Sequence, residues 1–203
     1  MGAYGHVSEI LRRYWASYGG WSAFAKSPYL HAALVVNVLM YQSWMTPGWW
    51  EGSVSVLASL IGLTLGGYAI LIAFGDEEFK SLLTGASDES RHSPFVVISA
   101  TFVHFILVQI IAILAALIAS SRPIAPIASF VNLGPCMGWV AYLGRAVKYG
   151  GWFIGHGLFV YAIFLAISAT LGIFRVSTWY DRVKTKARDE KNRSQAEENS
   201  RPK

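Results

Sequence analysis

Polar and apolar positions fall in long blocks along this chain. Four blocks are almost wholly apolar: Tyr29–Met45, Ser53–Phe74, Phe95–Ala119 and Trp152–Phe174. None contains a Lys, Arg, Asp or Glu. A helix crosses the hydrocarbon core with roughly 20 mainly apolar residues, about 17 being the lower limit. The first block sits at that limit, and the third is long enough to tilt. The pattern predicts an all-α, polytopic membrane helix bundle with four transmembrane helices.

Between the blocks the periodicity changes. Val7, Ile10, Leu11, Tyr14, Trp15 and Tyr18 fall on one helical face, with Ser8, Arg12 and Arg13 elsewhere. That spacing predicts an amphipathic helix, lying in the inner interface or packed on other protein, rather than a cleavable signal. Gly19-Gly20 ends it. Ser27-Pro28 and Ser93-Pro94 open the first and third spans, with Ser suited to the N-cap and Pro to the first helical position. Thr46-Pro47-Gly48 is a tight outer turn, so the first two spans form an antiparallel hairpin. Gly75 ends the second span. Asp76 can cap a short helix carrying Phe79, Leu82 and Leu83.

Ile127–Leu143 is also apolar, but Gly134-Pro135 interrupts it. A fifth crossing there would carry the basic tail to the outer side. It is expected to be a short re-entrant or interfacial element. The chain therefore divides into a transmembrane domain, residues 1–180, and a basic tail, residues 181–203. The tail is expected to be helical for some turns and then disordered.

Charge sets the expected orientation. The net charge is +5, and of the 17 Lys and Arg only Arg122, Arg145 and Lys148 fall on the side opposite the termini. The positive-inside bias places both termini in the cytoplasm. The same basic residues suit anionic inner-leaflet lipids, with no direct role for nucleic acid. Trp44, Trp49, Trp50 and Trp152 mark the outer interface, and Trp179 with Tyr180 the inner one. The single Cys136 excludes an internal disulfide framework.

Span two carries the sharpest pattern. Gly52, Ser55, Ser59, Gly62, Gly66, Ala69 and Ala73 repeat at alternating spacings of three and four. This row of small side chains is a candidate helix-packing seam, within the monomer or around an oligomer axis, where it would line a narrow pore. Asn37, Gln42, His104 and Gln109 are polar residues inside spans, and such groups turn inward to find partners. His31 and His156 lie nearer the span ends. His104 is the best candidate for a pH-sensitive or ligand-binding group, or for an interhelical hydrogen bond. Asp76, Glu77 and Glu78 cluster at the inner end of span two. They serve as a helix cap or, repeated by symmetry, as a charged ring at a channel's cytoplasmic mouth. No nucleophile–base pair, nucleotide loop or spaced metal-ligand set stands out. No catalytic residues, cofactor, metal or enzymatic activity are expected.

Tyr18-Gly19-Gly20-Trp21, Ser27-Pro28-Tyr29, Leu63-Thr64-Leu65-Gly66-Gly67-Tyr68-Ala69-Ile70, Ala73-Phe74-Gly75-Asp76-Glu77-Glu78-Phe79 and Ser99-Ala100-Thr101-Phe102-Val103-His104-Phe105 resemble segments of a family of uncharacterised small bacterial inner-membrane proteins with four spans. The resemblance covers roughly Tyr14 to Gln109 and implies a compartment rather than an activity. Size and span count are also similar to the membrane subunit of the two-component Kiwa anti-phage system, with no shared motif. The expected function is a homo-oligomeric channel or pore. The alternative is a membrane-anchored sensor or scaffold that recruits a cytoplasmic protein partner, as in anti-phage defence.

Overall fold

A computed structural model describes residues 3–73, 93–121 and 138–199. Within them the chain is helical throughout. We label the helices α1 (Ala3–Tyr18), α2 (Gly20–Ala25), α3 (Pro28–Leu39), α4 (Tyr41–Met45), α5 (Trp49–Ala73), α6 (Pro94–Ser121) and α7 (Gly138–Asn199). Asp76, Glu77, Glu78, the Phe79–Leu83 segment and Cys136 lie outside the described residues, as does most of Ile127–Leu143.

Three helices are long and apolar enough to cross a membrane: α5, α6 and the apolar part of α7. At about 1.5 Å per residue, α5 and α6 measure about 38 and 42 Å, against a hydrocarbon core of about 30 Å. Among the described residues the protein is thus all-helical, with three candidate membrane-spanning helices.

The first expected span, Tyr29–Met45, is not one helix. It breaks at Met40, whose ψ of 25° leaves the helical region. The cause is local. In a continuous helix the Asn37 carbonyl would receive the N–H of residue 41. Here it accepts the Trp44 indole N–H at 2.9 Å. The turn then closes through Ser43 N–H to the Met40 carbonyl at 2.9 Å. Alone, α3 is only about 18 Å long.

The last helix differs from expectation in the other direction. Gly150-Gly151 does not interrupt it, and Gly138–Tyr149 is continuous with the span that follows. Gly138 to Leu143, the end of the segment expected to be re-entrant or interfacial, therefore belongs to this helix. It also passes residue 180 without a break and reaches Asn199. Its 62 residues make a rod about 93 Å long.

The core forms where α5, α6 and α7 each pack against the other two, with α3 against α7. Leu57, Phe102, Phe105, Ala112, Tyr161, Ala162 and Leu165 are its most enclosed members, with Ala33 from α3. Tyr68 stacks on Phe102 at 5.3 Å. A second cluster, Trp50, Ala116 and Trp152, closes the end of the bundle near the α4–α5 turn. Lys148 sits 4.4 Å above the Trp152 ring, a cation–π contact that holds a charge beside an aromatic belt.

The chain termini of the helices follow the expected chemistry in part. Pro94 opens α6, and the Ser93 hydroxyl receives the Val96 N–H at 3.4 Å. Ser27 stands at the N-cap of α3 before Pro28, but its side chain makes no capping bond. Gly19 and Gly20 both have positive φ, 104° and 64°. A Cβ on Gly19 would lie 2.8 Å from that of Ala23, so only glycine makes this corner. The corner folds Trp21 and Phe24 back onto Trp15, with Trp15 and Trp21 at 5.0 Å edge to face.

Candidate functional site in the polar interior of the bundle

The buried polar side chains of the described residues are Asn37, Ser53, Thr64, His104, Gln109 and His156. Burying such groups without partners is costly, and their partners define three sites.

His104 projects from α6 into a box of aromatic rings supplied by α1, α2 and α7. Its Nδ1 lies 2.7 Å from the Tyr14 hydroxyl and its Nε2 3.3 Å from the Tyr161 hydroxyl. A neutral imidazole has one donor and one acceptor nitrogen. One tyrosine therefore accepts and the other donates, whichever tautomer is present. The Tyr18 ring stacks on the imidazole with centroids 4.0 Å apart. Phe24 meets it edge-on at 6.2 Å. Tyr14 and Tyr18 reach the same ring because they are four apart on one helix face. Burial, then the neighbouring Tyr18 hydroxyl, pushes the Tyr14 phenol up to about 12. It stays neutral at physiological pH.

This contact divides the amphipathic helix α1. Its C-terminal part, Tyr14, Trp15 and Tyr18, is partly buried on the bundle. Val7, Ile10 and Leu11 remain about half exposed, at 54%, 52% and 48%. Both environments that the sequence allows for this face, protein and interface, are thus available at once.

The second site joins α3 to α7. The Asn37 amide donates from Nδ2 to the Phe153 carbonyl at 3.1 Å. Its Oδ1 lies 2.7 Å from His156 Nδ1. Two glycines make room for this arrangement. A Cβ on Gly157 would lie 3.0 Å from Asn37 Nδ2, and one on Gly155 2.9 Å from the Trp49 ring. Trp49 in turn packs edge-on against His156 at 5.6 Å. The sequence signal for this site is the Gly155-His156-Gly157 triplet, in which bare backbone flanks a polar side chain on both sides.

The third site joins α5 to α6. Gln109 donates from Nε2 to the Thr64 hydroxyl at 3.0 Å. That hydroxyl donates onward to the Leu60 carbonyl at 2.8 Å. Gln109 Oε1 is buried without a hydrogen-bond partner among the described residues.

Asn37, His104 and Gln109 are therefore not brought together. Each takes a different partner, and each ties a different element to the bundle. Gln42 is exposed beside Tyr41, and His31 is exposed. Ser55, Ser59, Gly62, Gly66 and Ala69 all lie on the exposed side of α5, as do Gly52 and Ala73. A Cβ added at Gly52, Gly62 or Gly66 would meet nothing within 4 Å. Among the described residues, the row is thus not packed against another helix of the monomer. The close approach of α5 to α7 occurs off the row, at Gly67, where an added Cβ would lie 3.3 Å from Ile173 Cδ1.

Compared with protein families, with curated proteins and with solved structures, the chain matches none.

Proposed function

We propose that the protein is a homo-oligomeric bacterial inner-membrane protein whose subunits meet through the small-residue face of α5, around an axis that conducts ions. The observation that carries this reading is the open space beside Gly52, Gly62 and Gly66. Small residues earn their place in membrane helices by letting backbones approach closely. Among the described residues of one subunit, no side chain fills the space beside these glycines. Ser55 and Ser59 lie on it, and Ser59 satisfies its own hydroxyl on the Ser55 carbonyl at 3.2 Å. Those side chains and carbonyls are the polar surface such an axis would present to an ion. With α3 and α4 together counted as the first crossing, four spans put both termini on the cytoplasmic side. Asp76, Glu77 and Glu78 then stand near the inner mouth. The basic residues of the tail face anionic lipid.

The test is a pair of substitutions, Gly62→Leu with Gly66→Leu. A leucine at either position has free space within its own subunit, so subunit folding is expected to survive. Subunit association, measured by native mass spectrometry and cross-linking, is expected to weaken by at least about tenfold, roughly 1.4 kcal/mol. Conductance in reconstituted bilayers falls with it. An oligomer unaffected by both changes, or well-folded protein that never conducts, removes the proposal. A reporter fused after Asn199 that is active outside the cell overturns the orientation.

A second reading, a scaffold that recruits a cytoplasmic protein partner, is favoured by one observation. The helix α7 is about three times as long as a bilayer core is thick. From Arg182 onward it carries Lys184, Lys186, Arg188, Lys191 and Arg193 among acidic and amide side chains. Such a rod presents a recognition surface clear of the headgroups. Anti-phage defence is one setting in which a membrane subunit of this size works with a soluble partner.

A further inference from the structure

The contact between Asn37 and His156 fixes more than packing. A carbonyl oxygen can only accept, so the atom facing the Phe153 carbonyl at 3.1 Å must be the Asn37 NH2 group. The other amide atom is then oxygen, and it can only accept. The His156 Nδ1 at 2.7 Å must donate to it. The neutral imidazole is therefore held as the Nδ1–H tautomer, and its Nε2 carries a free lone pair. Among the described residues no hydrogen bond reaches that nitrogen.

His156 is only 3% exposed, yet it lines a groove of about 670 Å³ between α4, α5 and α7. Trp49, Ser53, Val56 and Phe159 also line it, with Gln42, Ser43 and Thr46 from the α4 side. The Ser53 hydroxyl is already committed to the Trp49 carbonyl at 2.9 Å. The Trp49 indole N–H is buried with no acceptor among the described residues. The groove wall thus holds an acceptor that no donor reaches among the described residues. Among the described residues no Lys, Arg, Asp or Glu lines the groove. Trp49 of the groove wall contacts Trp50, and Trp50 contacts Trp152, the kind of aromatic cluster that sits at headgroup level.

We infer that this groove binds the hydroxyl of a neutral glycerolipid, with the alcohol donating to His156 Nε2 and the acyl chain lying along Val56 and Phe159. The absence of charged side chains excludes an ionic headgroup as the preferred contact. The inference does not depend on the oligomer or on conduction.

The probe is 1,2-dioctanoylglycerol added to the full-length protein in nanodiscs, read by the 15N resonance of His156 Nε2 and by competition with a fluorescent diacylglycerol. The resonance is expected to shift on binding. The 3-O-methyl ether of the same lipid, which cannot donate, is expected to bind at least about tenfold more weakly and leave the resonance in place. Glycerol alone is expected to leave it in place as well. Val56→Trp fills the groove without touching the Asn37–His156 pair and is expected to abolish binding. Equal binding of alcohol and ether, a shift produced by glycerol alone, or full binding by the Val56→Trp protein overturns the inference. His156→Gln is a second variant, and binding undiminished in it has the same consequence.

Discussion

Gly155→Leu is expected to push Trp49 off α7 and loosen the end of the bundle where the tryptophans gather. The Cβ alone would lie 2.9 Å from one ring carbon of Trp49 and 3.2 Å from another. Three further carbons have no place to go, because Ala115 of α6 lies 3.6 Å away. Overfilling a packed site costs about 1–3 kcal/mol, which for a chain of this length lowers the melting temperature by about 2–12 °C. The displaced indole also crowds His156, which it meets edge-on at 5.6 Å. Gly150→Leu is the control, since an added Cβ there meets nothing within 4 Å. Thermal unfolding in a mild detergent separates the two. Equal melting of both variants would show that the glycine at 155 does not admit Trp49. Asn37→Leu tests the same joint from the other side, by leaving His156 Nδ1 and the Phe153 carbonyl without their partner.

His104→Leu is expected to free α1 from the bundle while the membrane-spanning helices stay assembled. The imidazole is the one polar group that satisfies Tyr14 from α1 and Tyr161 from α7 together, at 2.7 and 3.3 Å. A leucine strands the Tyr14 hydroxyl, at about 1–3 kcal/mol for a buried group left unpaired, while the Tyr161 hydroxyl keeps Tyr18 and Ser27 as partners. Arg12 and Arg13 are already exposed on docked α1, and release lets the helix around them unfold into a protease. Trypsin cleavage there is expected to accelerate by about 5- to 150-fold, the range corresponding to one such loss. His104→Gln retains hydrogen-bonding capacity and is expected to be milder. Unchanged proteolysis in the Leu variant would show that α1 is held by its aromatic contacts alone.

The same clamp carries a pH dependence with a defined sign. Burial raises Tyr14 from its ordinary value of 10.0 to about 12. Folding therefore favours the neutral phenol. The docking energy this represents is fully present below pH 10 and is lost as the pH rises from 10 towards 12. Trypsin sensitivity of the Arg12–Arg13 segment is expected to rise over that window in the parent protein. In Tyr14→Phe, which has no proton to lose, the component due to this residue disappears. A parent protein whose cleavage rate, corrected for trypsin's own pH profile, is flat from pH 9 to 12 would contradict the assignment.

Much of the architecture follows from residue order. An apolar block without charge has to satisfy every backbone group internally once it is in hydrocarbon, so helix is the only outcome. Hence α5 and α6 lie close to the predicted spans Ser53–Phe74 and Phe95–Ala119. Local chemistry explains the Gly19-Gly20 corner and the Pro94 helix start, because both depend on the allowed dihedral angles of one or two residues. The face Val7–Tyr18 is equally readable, since a period of 3.6 needs no knowledge of what the face meets.

Partnership is a different kind of information. That Asn37 pairs with His156 depends on two helices more than a hundred residues apart meeting at one height, with glycines beside the histidine to admit the contact. The break at Met40 likewise comes from a side chain, Trp44, capturing a carbonyl that helical periodicity assigns to the backbone. The small-residue row could be found by spacing alone, but its outward direction could not. Every face of α5 is apolar enough for lipid or protein, so the choice of Leu57, Thr64 and Gly67 as the inner face was made by the shape of α6 and α7. The sequence by itself determined a helical membrane protein, because the solvent leaves a hydrophobic chain no alternative. Which polar groups meet inside it, and which helix face is left open, was decided only by tertiary packing, where contact depends on complementarity between distant segments.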